Sequence, residues 1–269
     1  MRGSRLGLAA AACAALATGG AGLGAQEPFE WSGRVAAGGT LQVKGISGSI
    51  RTELATNGTA RVTAVKRGRQ SDFDEVDIRM VQKGEDVVIC AVYGSWNDGD
   101  DCDSDGDDDD RGWFRRNRSI NVSVDYVVSL PAGTRFQAGL VTGDVDITGV
   151  RSDVSAGTVT GDIVISTSGV ARAHTVSGSV DVTMGSQDWD ELDFNTVSGD
   201  ITLRMPASLD ADVEFESLSG ELESDFDLNL TQQRRRRWVG ERVRATIGDG
   251  GRSLSFNTVS GDVRLLRAG

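Results

Sequence analysis

Asp101, Asp103 and Asp105 alternate along the stretch DCDSDG, with Gly106 next and Asp109 beyond it. Calcium loops use that spacing to turn alternate carboxylates towards one ion, while a glycine at the sixth place makes the sharp turn. Asp101, Asp103, Asp105 and Asp109 are therefore a candidate calcium site, and calcium is the one cofactor the residues suggest. Two features count against it. The twelfth place, a bidentate glutamate in such loops, is Gly112, and a run of aspartates meets the pattern easily by chance. A solvated acidic loop is the plainer reading.

Cys90 and Cys102 bracket the start of this loop. In an exported chain they are expected to form a disulfide, and closing so short a loop contributes about 3 kcal/mol on the chain-entropy view. A second charged stretch, TQQRRRRWVGERVR, sets Arg234, Arg235, Arg236 and Arg237 beside Trp238. Such a cluster suits an anionic polymer, phosphate headgroups or an acidic protein. An exposed hairpin with merely solvated charges is the plainer alternative. His174 is the only histidine, so a Ser-His-Asp site or a multi-histidine metal site has little to work with. No residue is singled out as catalytic, and the chain is expected not to be an enzyme.

These residues hang on a repeating frame. The phrase FNTVSGD occurs twice, at 194–200 and 256–262. Aligned on Ser/Thr-Gly pairs, the chain reads LVTGDVDI, TVTGDIVI, TVSGSVDV, TVSGDITL, SLSGELES and TVSGDVRL. The glycines are Gly143, Gly161, Gly178, Gly199, Gly220 and Gly261, at steps of 18, 17, 21, 21 and 41 residues. A step near 20 predicts a coil that repeats, and the last step is about two such coils. Aliphatics alternate within each unit, as in Ile163 and Ile165 or Ile201 and Leu203, which marks half-buried strands. One unit cannot bury its apolar face, whereas stacked copies can.

The expected fold is therefore all-β: a single-domain β-solenoid of roughly 20-residue coils with an N-terminal β layer. Glycine takes the corner, and the neighbouring Ser/Thr and Asp supply turn hydrogen bonds. The acids at the corner, Asp144, Asp162, Asp200, Glu221 and Asp262, would stack. Ser49 and Ser179 interrupt that column, so solvated turn acids are preferred over a metal or glycan ladder. Two insertions are expected, an acidic loop at 94–119 and an Arg-rich hairpin at 229–245.

Residues 1–25 read as a secretory signal, with Arg2 and Arg5, an Ala/Leu run and small residues before Gln26. No other stretch is long and apolar enough to span a bilayer as a helix. Residues 26–269 are expected to form one exported domain, periplasmic, cell-surface or secreted. The formal net charge of −12 falls to −14 without Arg2 and Arg5, which argues against nucleic acid as a partner.

Over about residues 34–267 the chain resembles the bacterial putative-adhesin family, an extracytoplasmic class of unknown function. GGTLQVKGISGSI, VDYVVSLPAGTRFQAGLVTGDVDI and the recurring TVSGD carry the resemblance. It implies a β-helical or β-sandwich-like solenoid at the cell envelope, raises the expectation of binding, and brings no catalytic residues with it. The acidic loop and the arginine run depart from the family's usual pattern. The leading expectation is a non-enzymatic envelope or surface protein that presents a repetitive β face for adhesion or scaffolding. Its partner would be an envelope or surface polymer or protein. The alternatives are a polysaccharide-cleaving β-helix enzyme using paired carboxylates and a calcium-responsive envelope structural module.

Overall fold

Alternating burial turns the repeated phrases into strands. In Ile163–Thr167 the residues Ile163, Ile165 and Thr167 point into the core while Val164 and Ser166 point out, the period of two that a pleated strand imposes. A computed structural model describes residues 28–94, 102, 121–235 and 241–269. In chain order the first strands are β1 (Phe29–Gly33), β2 (Thr40–Leu54), β3 (Ala60–Gly68), β4 (Val76–Lys83), β5 (Asp86–Tyr93) and β6 (Val122–Leu130). Lys83 and Asp86 close a hairpin between β4 and β5.

From there the chain runs in coils, each with one strand in each of two sheets. They are β7/β8 (Arg135–Thr142, Val145–Val150), β9/β10 (Val154–Thr160, Ile163–Thr167), β11/β12 (Ala171–Ser177, Val180–Met184) and β13/β14 (Glu191–Asn195, Ile201–Met205). Next come β15/β16 (Ala211–Ser219, Leu222–Ser224), the hairpin β17/β18 (Asn229–Arg235, Glu241–Ile247) and a last coil, β19/β20 (Ser253–Ser260, Val263–Arg267). First strands pair in parallel as sheet 1, and second strands in parallel as sheet 2. The long strand β2 passes through both, pairing with β7 in sheet 1 and β6 in sheet 2. The fold is a β-solenoid.

Neither end of the stack follows chain order. β5/β6 forms the outermost coil at one end, and β2 lies between it and β7/β8. At the other end β19/β20 lies between β13/β14 and β15/β16. Antiparallel strands close the stack, with β4 on β5, β3 and β1 beside β6, and β18 and β17 beyond β15. The 41-residue step thus holds one hairpin rather than a second coil, and the chain then turns back into the stack.

The two copies of FNTVSGD consequently lie against each other. Phe194 aligns with Phe256 and Ile201 with Val263. The phenylalanine rings stack with centroids 5.8 Å apart, and Asn257 Nδ2 donates to Asn195 Oδ1 at 2.9 Å. Equal side chains fit equal spaces in a parallel stack, which is the physical reason for the repetition.

The core fills the space between the sheets, and Tyr126, Phe136, Phe194, Phe215 and Phe256 are its largest fully buried side chains. Burying each aromatic or aliphatic side chain contributes roughly 1.5–3 kcal/mol. Burial also raises the Tyr126 pKa far above its ordinary value and pushes Tyr93 up to about 12. Both phenols are therefore neutral at physiological pH. Among the described residues no helix is long and apolar enough to cross a membrane.

Candidate functional site

The corner phrase ties each coil to the next. Gly161 and Gly199 have φ of +145° and +142°, and a Cβ on Gly199 would overlap the carbonyl oxygen of Gly178 in the adjoining coil. Only glycine fits there. The preceding threonine faces inward: the Thr158 hydroxyl donates to the Gly143 carbonyl at 3.2 Å, and Thr175 to Gly161 at 3.3 Å. The following aspartate accepts backbone N–H groups. Asp144 Oδ1 accepts from Asp162 N at 2.9 Å, Asp162 from Ser179 N at 2.8 Å, Asp200 from Asp262 N at 2.9 Å and Asp262 from Glu221 N at 3.1 Å. These carboxylates hold coils together. Among the described residues no three His, Cys, Asp or Glu side chains converge on a metal position.

The second letter of TVSG looks outward. Val159, Val176, Val197, Val259 and Leu218 are 43–55% exposed, although their neighbours Thr158, Thr175, Thr196, Thr258 and Ser217 are buried. Strand pairing places these aliphatics side by side along sheet 1. Further from the corner, Gly139, Gly157, His174, Asn195 and Asn257 form the next outward row. The His174 imidazole lies over Gly157, where any Cβ would meet the ring. The row beyond contains Gln137, Ser155, Arg172, Asp193 and Ser255, and Gln42 Nε2 donates to Gln137 Oε1 at 3.2 Å. Sheet 1 therefore offers rows of mixed amide, hydroxyl and charged side chains at the strand spacing of about 4.8 Å.

The outer face of sheet 2 carries charges that pair with each other. Arg204 binds Asp181, Arg67 binds Asp125, and Arg264 Nε lies 3.2 Å from Glu223. On sheet 1 Arg244 meets Glu214 and Arg242 meets Glu216 at the β15/β18 end, and its middle strands present Ser155, His174, Asn195 and Asn257. Its chemistry suits a partner carrying repeated polar groups.

The candidate calcium ligands Asp101, Asp103, Asp105 and Asp109 lie outside the described residues, as do Arg236, Arg237 and Trp238. Arg234 and Arg235 end β17, where their backbones pair with Arg242 and Glu241. The structure joins Cys90 to Cys102 with their Cα atoms 5.8 Å apart. Cys102 packs with Val81, Val88 and Val92 on the outer side of sheet 1. The acidic stretch begins where the β5/β6 coil would have its corner. Arg235 and Glu241 are the last described pair of the hairpin, and Glu241 aligns with Ser217. The described residues that flank the two stretches thus lie on the same long edge, at opposite ends of the stack.

The outward aliphatic row and the Asn195–Asn257 pair were not among the residues expected from sequence to form a site. A signal for the row was present. The second letter of the phrase is aliphatic in every repeated copy but out of phase with the inward positions.

Parallel coils, an interlocked corner and two distinct outer faces define a β-solenoid module. The chain belongs to the family described as Toastrack DUF4097, which matches residues 115–266, more than half its length. Among solved structures it is similar to a putative cell adhesion protein from Clostridium sporogenes, with 10% identity and a TM-score of 0.41 over 90% of this chain and 100% of that one. It is also similar to a putative adhesin from Bacteroides fragilis, with 12% identity and a TM-score of 0.37 over 89% of this chain and 97% of that one. No curated protein matches the chain.

Proposed function

We propose that the chain is a non-enzymatic, exported envelope or surface protein whose sheet 1 face adheres to or scaffolds a repeating, hydroxyl-rich polymer. The observation that carries this reading is a pair of in-register polar rows on the outside of sheet 1, Gln137, Ser155, Arg172, Asp193 and Ser255 in one and His174, Asn195 and Asn257 in the other. Each contact to such a row is weak. Contacts repeated along one rigid ladder act together, because after the first has formed the others occur at high effective concentration. The corner carboxylates, which a polysaccharide-cleaving enzyme would need as an acid and base pair, instead accept N–H groups of the next coil. Residues 1–25 serve as the export signal in this reading.

The test is co-sedimentation of residues 26–269 with insoluble envelope polysaccharides, with reducing ends assayed in the same tubes. Saturable binding without new reducing ends is expected, weakened at least several-fold by Asn195→Ala combined with Asn257→Ala. Undiminished binding by that variant would remove the sheet 1 face from the proposal. New reducing ends that disappear when a corner carboxylate pair is replaced would point to the hydrolase instead.

A further inference from the structure

We infer that the polymer held by sheet 1 is an acidic polysaccharide, one that carries carboxylates on its sugars, and that a basic patch on β2, β7, β9 and β11 takes its charged groups. This rests on the adhesive reading of the face and names the chemistry of its ligand. The chain as a whole has 40 acidic against 28 basic residues. Within sheet 1, however, these four neighbouring strands read TLQVKGIS, RFQAGLVT, VSAGTVT and ARAHTVS, without one Asp or Glu. Lys44, Arg135, Arg172 and His174 stand on their outer side, beside the inward Val43, Phe136, Ala171 and Ala173.

Charge selects the occupant. Further along sheet 1, Arg242 and Arg244 meet Glu216 and Glu214. Among the described residues Lys44, Arg135 and Arg172 form no ion pair. The carboxylates at the margin of the patch are already engaged. Asp86 accepts from Thr40 N at 2.7 Å, Asp153 from Val170 N at 2.8 Å, and Asp193 from the Asn195 amide at 3.1 Å. More distant acids are largely screened, since the Debye length is about 8 Å at physiological salt. A chain of net charge −12 therefore offers an anion a local foothold here.

The patch has room for a sugar. Lys44, Gly139, Gly157 and His174 follow one another across the four strands in a single row, so Lys44 and His174 are three strand spacings apart, about 14 Å. The two glycines put no side chain between them. The imidazole lies over Gly157, and Lys44 Cγ comes within 4.0 Å of a Cβ placed on Gly139. Gln137 and Ser155, two residues back along β7 and β9, supply an amide and a hydroxyl, and Arg172 stands next to Ser155 in their row. The charges thus stand singly, parted by groups that bind hydroxyls. That pattern fits a sugar chain with one carboxylate per residue among its hydroxyls. A polyphosphate carries charge at every unit and is better met by arginines that converge as paired forks.

Polygalacturonate and its fully methyl-esterified form share one backbone and differ in charge, so their binding to immobilised residues 26–269, with chelator present, tests the inference. Wild type is expected to bind the acid about ten-fold more tightly than the ester at about 50 mM salt, an advantage that shrinks towards about 500 mM. Lys44→Gln combined with Arg172→Gln should remove most of that advantage. Ester binding and the melting temperature should not change, because neither side chain has an ion-pair partner to lose. Equal binding of acid and ester by wild type would overturn the inference. So would an undiminished preference in the double variant, binding of neither polymer, or tighter binding of inorganic polyphosphate than of polygalacturonate. Asn195→Ala with Asn257→Ala lies outside the patch and should weaken acid and ester alike. Failure of the basic patch alone leaves ester binding and its dependence on these asparagines intact, whereas failure of the adhesive reading removes both.

Discussion

At Gly199 the neighbouring coil leaves room for a hydrogen atom and no more, and the backbone sits at φ +142°. Gly199→Ala should therefore cost roughly 2–4 kcal/mol through combined backbone strain and overlap. Gly58, with nothing within 4 Å of an added Cβ, is the control, and Gly58→Ala should stay within about 0.5 kcal/mol. Urea midpoints for the two variants decide this, and equal midpoints would contradict it. Phe256→Ala removes a fully buried ring stacked on Phe194 and should cost about 3–5 kcal/mol. Asp212 behaves differently because it is exposed. The Gly251 N–H donates to its carboxylate at 3.1 Å and the Thr246 hydroxyl at 2.8 Å, which holds its pKa below the ordinary carboxylate value. A depressed folded-state pKa gives stabilisation that is present above the unfolded-state pKa and lost as pH falls through the folded one. Asp212→Asn should thus be less stable than wild type at neutral pH, with the gap closing on acidification. A gap independent of pH would contradict the sign.

Strands and corners were legible in the sequence because each leaves a local mark. Period-two aliphatics such as Val180 and Val182 show a buried face, and a glycine after Ser or Thr shows where a side chain cannot fit. The order of the coils left no such mark. β19 lies beside β13 because Phe256 fits on Phe194 and Asn257 on Asn195, a long-range match that the 41-residue step alone does not reveal. The repeated phrase contained the clue, since identical letters in two coils suit direct stacking. Hydrogen exchange should show the consequence. Amides of β2 and β19, paired on both sides, should exchange slowly, and those of the edge strands β1 and β17 quickly. Fast exchange throughout β19 would argue against its interior place. The bridge between Cys90 and Cys102 should contribute about 3 kcal/mol. Its reduction should lower the melting temperature yet keep the β signal, because β5 is also paired with β2 and β4. Intact mass after alkylation without reductant should show neither thiol modified.

For the whole molecule, β2 near the start of the fold and β19/β20 at its end are secured in the same way. β2 and β19/β20 lie one coil in from the two ends of the stack, covered by strands that come later or earlier in the chain. The last coil therefore completes sheet 1, and with it the rows proposed to meet a polymer. Every row that crosses β19 on that face depends on the out-of-order insertion. Ser198 pairs with Ser260, and Ser260 with Ser219, so Ser198 and Ser219 are two strand spacings apart, about 10 Å. Adjacent strands fall within the Cα range a disulfide needs, and two spacings do not. The decisive measurement is therefore oxidation of two double variants, read by non-reducing mass mapping. Ser198→Cys with Ser260→Cys should close an intramolecular disulfide, and Ser198→Cys with Ser219→Cys should not. The reverse result would mean that the coils stack in chain order and that the sheet 1 face is not built as described.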